Sequence, residues 1–320
     1  MQDFLLDFRL INSGEPGTKT IMAQLFTVRQ FVILVVIMII PGWSAADIVE
    51  TTIQIPVQIS LGDREVIRQK LVVTVTRDSA QTRAAVVLIA HGRPASPEDR
   101  ARMGQVKYPG NAVWLAQHGF VVVVPTRIGY GITGGPDLDY SGECTNKDYL
   151  GALNGAVAQY RQVLAYMAGQ PYVDPGHGVF IGESFGGLVA LAFASGDRSA
   201  GIDGIVNMAG GDGGDYSHLE QPCQPERLEK SFAALGKNGH LPALWMYSLN
   251  DRFWGTLFPR QWFRAYTASG GKAEFVQLPA DKNNGHFIFN RNVLAWHTDM
   301  ERFLVQLGLA RASNEAVTHH

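Results

Sequence analysis

The fold of this chain is decided by the stretch Val179-Phe180-Ile181-Gly182-Glu183-Ser184-Phe185-Gly186-Gly187-Leu188. An apolar run leads into Ser184, which has a glycine two positions before it and another two positions after it. A G-x-S-x-G pattern of this kind forces a tight strand-to-helix turn that lifts the serine hydroxyl above the sheet edge. We therefore predict a buried strand at 178–181, a helix that begins at Phe185, and a nucleophilic role for Ser184.

Further strands are indicated on both sides of this stretch. Segments 51–59 and 71–76 alternate apolar and polar side chains, which predicts an antiparallel hairpin at one edge of a sheet. Apolar runs without alternation are typical of strands buried on both faces, as in a parallel sheet covered by helices. Candidate strands of this second kind lie at 85–90, 120–125, 179–181, 204–208, 244–247 and 273–278.

Helical segments fill the intervals between the candidate strands. The clearest is 147–168, where apolar residues recur at steps of three and four. Shorter ones lie at 111–117, 185–194, 258–268 and 293–307. This alternation predicts an α/β fold, a doubly wound and mostly parallel sheet of about eight strands with an N-terminal antiparallel hairpin. Glycine-rich loops at 129–146 and 210–240 follow strand carboxyl ends, where open α/β sheets bind their ligands.

The first 46 residues have the pattern of a leader. Arg29 precedes the apolar run 31–40, which a Pro-Gly pair ends before the small residues 44–46. This order predicts a secretory signal peptide that is cleaved after Ala46, and we expect translation to start at Met22. Ten apolar residues are too few for a hydrocarbon core that needs about twenty, so we expect export to the periplasm or the medium, without a membrane span after cleavage.

Composition limits the partners of the mature chain. With 320 residues, of which 46% are hydrophobic and 18% charged, the sequence can bury a large core, and we expect 47–320 to form a single domain. A formal net charge of -2 gives no basic field for a phosphate backbone, so nucleic-acid binding is not expected.

The chain has 2 cysteines, Cys144 and Cys223, and both follow the leader. In an oxidising compartment we expect a disulfide that links the two long loops, with a pair of free thiols as the alternative. Neither cysteine has the spacing of a metal site, so no zinc centre is predicted.

A serine hydroxyl needs a base that removes its proton and an acid that holds the base. Asp251 follows the candidate strand 244–247, and His286 follows the strand 273–278 in a glycine-flanked loop. Because the carboxyl ends of parallel strands share one sheet edge, we predict that Ser184, Asp251 and His286 form a catalytic triad.

Other residues are alternatives for these roles. Asp212 or Asp215, which follow the strand 204–208, are alternatives to Asp251 as the acid. His91 also follows a strand but precedes the nucleophile, so we expect it in the oxyanion loop rather than as the base. Glu183 is expected to be hydrogen-bonded beneath the turn.

Attack on a carbonyl creates an alkoxide that needs hydrogen-bond donors. We expect the backbone N–H groups of Phe185 and Arg93 to supply them. The side chain of Arg93 is expected either to pair with a loop carboxylate or to bind an acidic group of the substrate. Candidate pocket residues, which have core packing as the alternative, are Tyr130, Phe253, Trp254 and Trp262.

A family resemblance is carried by Gly182-Glu183-Ser184-Phe185-Gly186, His91-Gly92, Asp251, His286 and the segment Tyr172–Val179. Together these motifs resemble the α/β-hydrolase superfamily, and most of all its dienelactone hydrolase and prolyl-oligopeptidase-like branch. The resemblance covers roughly residues 84 to 308 and implies the α/β-hydrolase fold. It departs from dienelactone hydrolases in having serine where they have a cysteine nucleophile, and the chain is too short for the propeller of the oligopeptidases.

The sequence thus predicts an exported serine hydrolase that cleaves small-molecule carboxylic esters through an acyl-serine intermediate. No metal or organic cofactor is implied, and the oligomeric state is left open. An acyltransferase or a peptidase with the same triad is one alternative. A non-catalytic binding protein on a hydrolase scaffold is the other.

Overall fold

The computed structural model describes residues 47–61, 65–196 and 201–310. The predicted signal peptide, its cleavage after Ala46 and the start at Met22 lie outside the described residues. Within these three ranges, no helix is long and apolar enough to cross a membrane.

The described residues form one eight-stranded sheet. Its strands are β1 (Ile48–Leu61), β2 (Glu65–Asp78), β3 (Ala84–Ala90), β4 (Val121–Thr126), β5 (Val173–Glu183), β6 (Gly204–Met208), β7 (Ala243–Ser248) and β8 (Ala273–Leu278). They lie in the order β1-β2-β4-β3-β5-β6-β7-β8. β2 pairs antiparallel with β1 and β4, and all other neighbours are parallel. The predicted mostly parallel sheet with an antiparallel N-terminal hairpin is confirmed.

Burial along each strand explains its place in the sheet. Every residue of β4, β6 and β7 is buried, because helices cover both faces of the centre. In β1, Ile55, Val57 and Ile59 face the core, while the residues between them are exposed. Pro56 is tolerated in β1 because this strand lies at the sheet edge, where a missing N–H breaks no ladder.

Helices cover the two faces of the sheet. They are α1 (Pro97–Arg102), α2 (Pro109–Gln117), α3 (Leu153–Ala168), α4 (Phe185–Ala194), α5 (Pro225–Asn238), α6 (Leu257–Ala268), α7 (Ile288–Arg291) and α8 (His297–Gln306). Apolar residues of α3, α4, α5 and α6 pack into one core on one face. Those of α2 and α8 pack into a second core on the other face.

The structure corrects three helix predictions. α3 begins at Leu153 rather than at 147, because residues 147 and 148 have no regular structure and 149–152 form turns. α8 begins at His297, after a separate 3₁₀ turn at Val293–Ala295. The loop predicted at 210–240 contains α5, whose charged surface and buried Leu228 and Phe232 make it amphipathic despite the glycines before it.

The two long loops are joined covalently. Cys144 and Cys223 form a disulfide with their Cα atoms 5.0 Å apart. The backbone N–H of Cys223 donates to the carbonyl of Gly213 at 2.8 Å, so the bridge is tied to the segment that follows β6. The hydroxyl of Ser141 donates to the carboxylate of Asp212 at 2.6 Å, which is a second link between the same loops.

We expect the double variant Cys144→Ser, Cys223→Ser to lose about 4 to 5 kcal/mol of unfolding free energy, because the bridge closes a long loop in the unfolded chain. Urea-induced unfolding of the variant and of the wild type, each with and without dithiothreitol, measures this loss. Reductant should destabilise only the wild type and bring it to the stability of the variant. Equal stability of the oxidised wild type and the variant would contradict the expectation.

Candidate active site

The turn between β5 and α4 has no room for side chains around Ser184. Ser184 adopts φ 54° and ψ -123°, a conformation that side-chain-bearing residues rarely take. A Cβ atom on Gly182 would collide with the carbonyl oxygen of Gly186, and one on Gly186 would collide with that of Ala90. The N–H of Ser184 donates to the carbonyl of Met208 at 3.0 Å, which fixes the turn to the end of β6.

His286 and Asp251 form a buried pair at the ends of β8 and β7. Nδ1 of His286 lies 2.9 Å from Oδ2 of Asp251, whose side chain is fully buried. The other carboxylate oxygen accepts the N–H groups of Phe253 at 2.9 Å and Trp254 at 3.1 Å. Because the carboxylate accepts the proton on Nδ1, Nε2 is the nitrogen of His286 that remains for proton transfer.

Asn284 links the loop that carries Asp251 to the loop that carries His286, and it is not among the site residues predicted from the sequence. Its Oδ1 accepts the N–H of His286 at 3.0 Å and that of Arg252 at 3.1 Å. Gly285 lies so close to Ser248 that a Cβ atom would overlap the serine hydroxyl. The only sequence signal for Asn284 is a short polar side chain two positions before the histidine, the place of a helix N-cap.

The alternative acids have other partners. The carboxylate of Asp212 accepts hydrogen bonds from the hydroxyl of Ser141 at 2.6 Å and from the backbone N–H of Gly213 at 2.7 Å. Asp215 accepts the N–H of Ser217 at 2.6 Å in an exposed turn. Both aspartates line the cavity beside Ser184, but the carboxylate bonded to His286 is that of Asp251.

His91 is fully buried beneath the loop that follows β3. Its Nδ1 lies 2.8 Å from the carbonyl oxygen of Gly92, and its Nε2 accepts the N–H of Arg127 at 3.1 Å. Burial, followed by the positive charge of Arg127, lowers the pKa of His91 well below 6.5. His91 is therefore a neutral imidazole that bonds the loop, which matches its expected place there.

Arg127 organises the same loop from below. Its fully buried guanidinium donates to Asp139 at 2.8 Å, to the carbonyl of His91 at 2.7 Å and to that of Gly92 at 3.4 Å. The N–H of a trans peptide points opposite to its carbonyl, so the N–H of Arg93 points away from this guanidinium. Gly92 passes against Ser184, since a Cβ atom on it would lie 3.2 Å from the serine Cβ.

The side chain of Arg93 is bound to a loop carboxylate, the first of its two expected roles. Its guanidinium contacts both oxygens of Asp137, at 2.7 and 2.8 Å. Arg100 contacts the same carboxylate at 2.9 Å. Only 9% of the Arg93 side chain is exposed, and its charge is paired with Asp137. Arg93 is therefore unsuited to bind an acidic group of the substrate.

Ser184 and His286 both line one cavity of about 830 Å³. Phe253 and Trp254 also line it, as predicted for pocket residues. Tyr130 does not: it is fully buried, and its hydroxyl donates to Asp139 at 2.8 Å, so its expected pocket position is wrong. Trp262 is likewise a core residue, because its ring stacks on other aromatic side chains beneath the loops.

Glu183 precedes Ser184 and lines the same cavity. The hydroxyl of Tyr108 donates to its carboxylate, as expected for a residue beneath the turn. Burial raises the pKa of Glu183, and the bond from Tyr108 opposes that shift.

Across the described ranges, no group of three or more His, Cys, Asp or Glu side chains has the arrangement of a metal site.

Residues 86–317 match the model of the alpha/beta hydrolase family. The chain belongs to this family. No curated protein sequence matches this alpha/beta hydrolase. Acetyl xylan esterase from Paenibacillus sp. R4 superposes with a TM-score of 0.54 and 15% identity, covering 82% of this chain and 89% of that one. Esterase B from Lactobacillus Rhamnosis gives a TM-score of 0.53 and 13% identity, with 82% and 87% covered.

A larger protein also shares the fold of this alpha/beta hydrolase. Acylaminoacyl peptidase from Pyrococcus horikoshii gives a TM-score of 0.52 and 15% identity, with 82% of this chain but only 43% of the peptidase covered. At such identities these structures show a common fold, and substrates must be argued from the cavity itself.

The low pKa of His91 predicts a loss of stability in acid. Below pH 6.5 the imidazole of His91 takes up a proton in the unfolded chain but not in the folded chain. The contribution of neutral His91 to the unfolding free energy is therefore fully present above pH 6.5 and is lost as the pH falls. Between pH 7.5 and 5.5 the wild type should lose about 1.4 kcal/mol more unfolding free energy than His91→Asn, which cannot titrate. Urea unfolding at both pH values measures the difference, and equal losses would contradict it.

Proposed function

We propose that this alpha/beta hydrolase is an exported serine hydrolase that cleaves small-molecule carboxylic esters. Ser184 is the nucleophile, His286 the general base and acid, and Asp251 the residue that orients His286. The observation that carries the proposal is the bond of 2.9 Å between His286 and buried Asp251, at the edge of a cavity that Ser184 also lines.

The reaction follows from these contacts. Ser184 attacks the ester carbonyl as its proton passes to Nε2 of His286, and the carbonyl oxygen becomes an alkoxide. The alkoxide re-forms the carbonyl and expels the alcohol, which takes the proton from His286 and leaves an acyl-Ser184 ester. Water then attacks this ester with His286 again as the base, and the second collapse releases the acid and restores Ser184.

The alkoxide needs donors that are in place before the reaction. The N–H of Phe185 is at the first position of α4, where helix amides lack intrahelical partners and the helix dipole favours a negative charge. The second donor in the proposal is the N–H of Arg93. Arg127 and His91 support it by bonding the carbonyl of Gly92, which belongs to the same peptide group.

Export is supported by two independent features. The N-terminal sequence has the order of a signal peptide, and Cys144 is bonded to Cys223. Disulfides persist in the periplasm and outside the cell, whereas cytosolic thiols are kept reduced.

An acyltransferase or a peptidase would use the same three residues. The products formed from an ester, from an amide, and from an ester with an added alcohol distinguish these reactions from ester hydrolysis.

A fluorophosphonate probe should label Ser184 in the wild type and give no label in Ser184→Ala. His286→Ala should lower ester kcat by about a thousandfold or more, because the serine loses its base. His177→Ala is the matched control, since His177 is also within 3.2 Å of an aspartate but lies on the surface, and it should keep wild-type kcat. A folded wild type that neither reacts with the probe nor cleaves p-nitrophenyl acetate would defeat the proposal.

Arg127→Lys should lower kcat by about tenfold to a hundredfold with little change in KM, because one ammonium cannot hold Asp139 and both carbonyls together. The rate is expressed per Ser184 titrated with the probe, so that loss of folded protein does not mimic the effect. Arg161→Lys is the control, because Arg161 bonds the carbonyl of Phe193, at the end of α4 opposite to Ser184, and does not line the cavity. An unchanged kcat per titrated site in Arg127→Lys would remove Arg127 from the oxyanion site.

A further inference from the structure

The side of the cavity next to His286 is built from aromatic rings. The ring centroid of Phe253 lies 4.6 Å from that of His286, and those of Phe287 and Trp254 lie at 5.3 and 5.5 Å. Tyr216 packs edge-on against Phe253 at 4.9 Å and is 70% exposed. Tyr216 lines the cavity, so its exposed ring is open to a bound group there.

The proposed chemistry assigns this side to one half of the substrate. The departing alcohol takes its proton from Nε2 of His286, so its oxygen must come within hydrogen-bond reach of that ring. The group attached to the oxygen then lies beside Phe253, whose ring is next to that of His286, and toward Tyr216, which packs on Phe253 and also lines the cavity. The acyl group, attached on the other side of the ester carbon, is directed away from His286.

Trp254, one of these aromatic rings, is held in one position. A Cβ atom on Gly211 or Gly214 would lie 2.8 or 2.7 Å from the indole of Trp254, so the backbone of this segment rests directly on that ring. The indole N–H of Trp254 donates to the carbonyl of Ala209 at 2.7 Å, which prevents the ring from turning. The bond from Cys223 to Gly213 ties the segment to the disulfide. Trp254 and the backbone segment that rests on it are therefore a preformed part of the cavity wall.

Charge on the same wall is negative. Asp212 and Asp215 line the cavity on the segment that carries Tyr216, and hydrogen bonds from Ser217 lower the pKa of Asp215. Among the lining residues, the basic side chains of Arg93 and Lys107 are each paired with a carboxylate, Asp137 and Glu50. Asp215 also lies 3.3 Å from Nδ1 of His218, a residue outside the cavity lining. A negatively charged leaving group would approach these aspartates without an unpaired lysine or arginine of the lining to offset them.

From this geometry we infer that the enzyme is selective for esters whose alcohol part carries an aromatic ring without negative charge, bound against Tyr216 and Phe253. The inference rests on the proposed function, because it takes His286 as the proton donor to the alcohol. It adds a substrate class to that function and makes Tyr216 a specificity-determining residue.

Benzyl acetate and cyclohexylmethyl acetate test the ring preference. They share the acyl group and a primary alcohol of similar basicity, and differ in whether the ring is flat and aromatic. The wild type should favour benzyl acetate in kcat/KM by about twofold to tenfold, the range expected for one aromatic pair. Tyr216→Ala should lower the ratio toward one, with the contact of Phe253 remaining, and Tyr216→Phe should keep it. Tyr166→Ala is the matched control, because Tyr166 is an exposed tyrosine of α3 outside the cavity lining, and it should keep the wild-type ratio.

A second comparison tests the charge. 4-Carboxybenzyl acetate should be cleaved more slowly than benzyl acetate by the wild type, and Asp215→Asn should narrow that difference by about twofold to fivefold, as for one solvent-exposed charge pair. Added salt should narrow it in the wild type as well. A difference that neither Asp215→Asn nor salt changes would overturn the charge part of the inference.

The inference and the proposed function fail in distinguishable ways. If Ser184 reacts with the fluorophosphonate probe and both acetates are cleaved, but the ratio is one in the wild type or unchanged in Tyr216→Ala, the aromatic selectivity is wrong and the hydrolase proposal stands. If the folded wild type neither reacts with the probe nor cleaves either acetate, both are wrong.

Discussion

The structure depends on a steric constraint at the turn between β5 and α4. Ser184 has a positive φ, and its glycine neighbours lie where Cβ atoms would collide with backbone carbonyls. A non-glycine residue in such a conformation costs of order 1 to 3 kcal/mol, so the surrounding structure must impose it. The bond from Ser184 to Met208 and the closeness of Gly186 to Ala90 show how it does so, because they tie the turn to the strands on either side of β5.

The same arrangement brings distant loops together. β5, β7 and β8 run parallel, so their carboxyl ends lie at the same end of the sheet. The loops that carry Ser184, Asp251 and His286 follow these strand ends directly and therefore lie on the same side. The sheet alone does not set the fine geometry. Asn284 bonds the loop after β7 to the loop after β8, and the carboxylate of Asp251 is held by the amides that follow it. Strand order thus brings the loops together, and polar contacts between the loops fix the positions of their side chains.

What the sequence predicts well is local. Continuous apolar runs indicated the central strands, and a residue just after a strand end is placed by that strand. This is why the sequence could predict that Asp251 and His286 lie close together. The position of β4 between β2 and β3, and the burial of Tyr130, depend on partners far along the chain. Tyr130 looks like a pocket residue in a glycine-rich loop, and only the pairing of Asp139 with Arg127 shows that this loop folds inward.

The buried pair of Arg127 and Asp139 is better explained by position than by stability. Removing two charges from water costs about as much as their attraction returns, and apolar residues of similar volume often stabilise a core as well or better. An apolar side chain, however, cannot donate to the carbonyls of His91 and Gly92, which Arg127 does from a fully buried site. With neutral His91 bonded to the same loop, that segment has two fixed supports beside Ser184. In the proposed mechanism the N–H of Arg93 must not move when charge develops on the substrate, and rigid polar contacts of this kind would hold it in place.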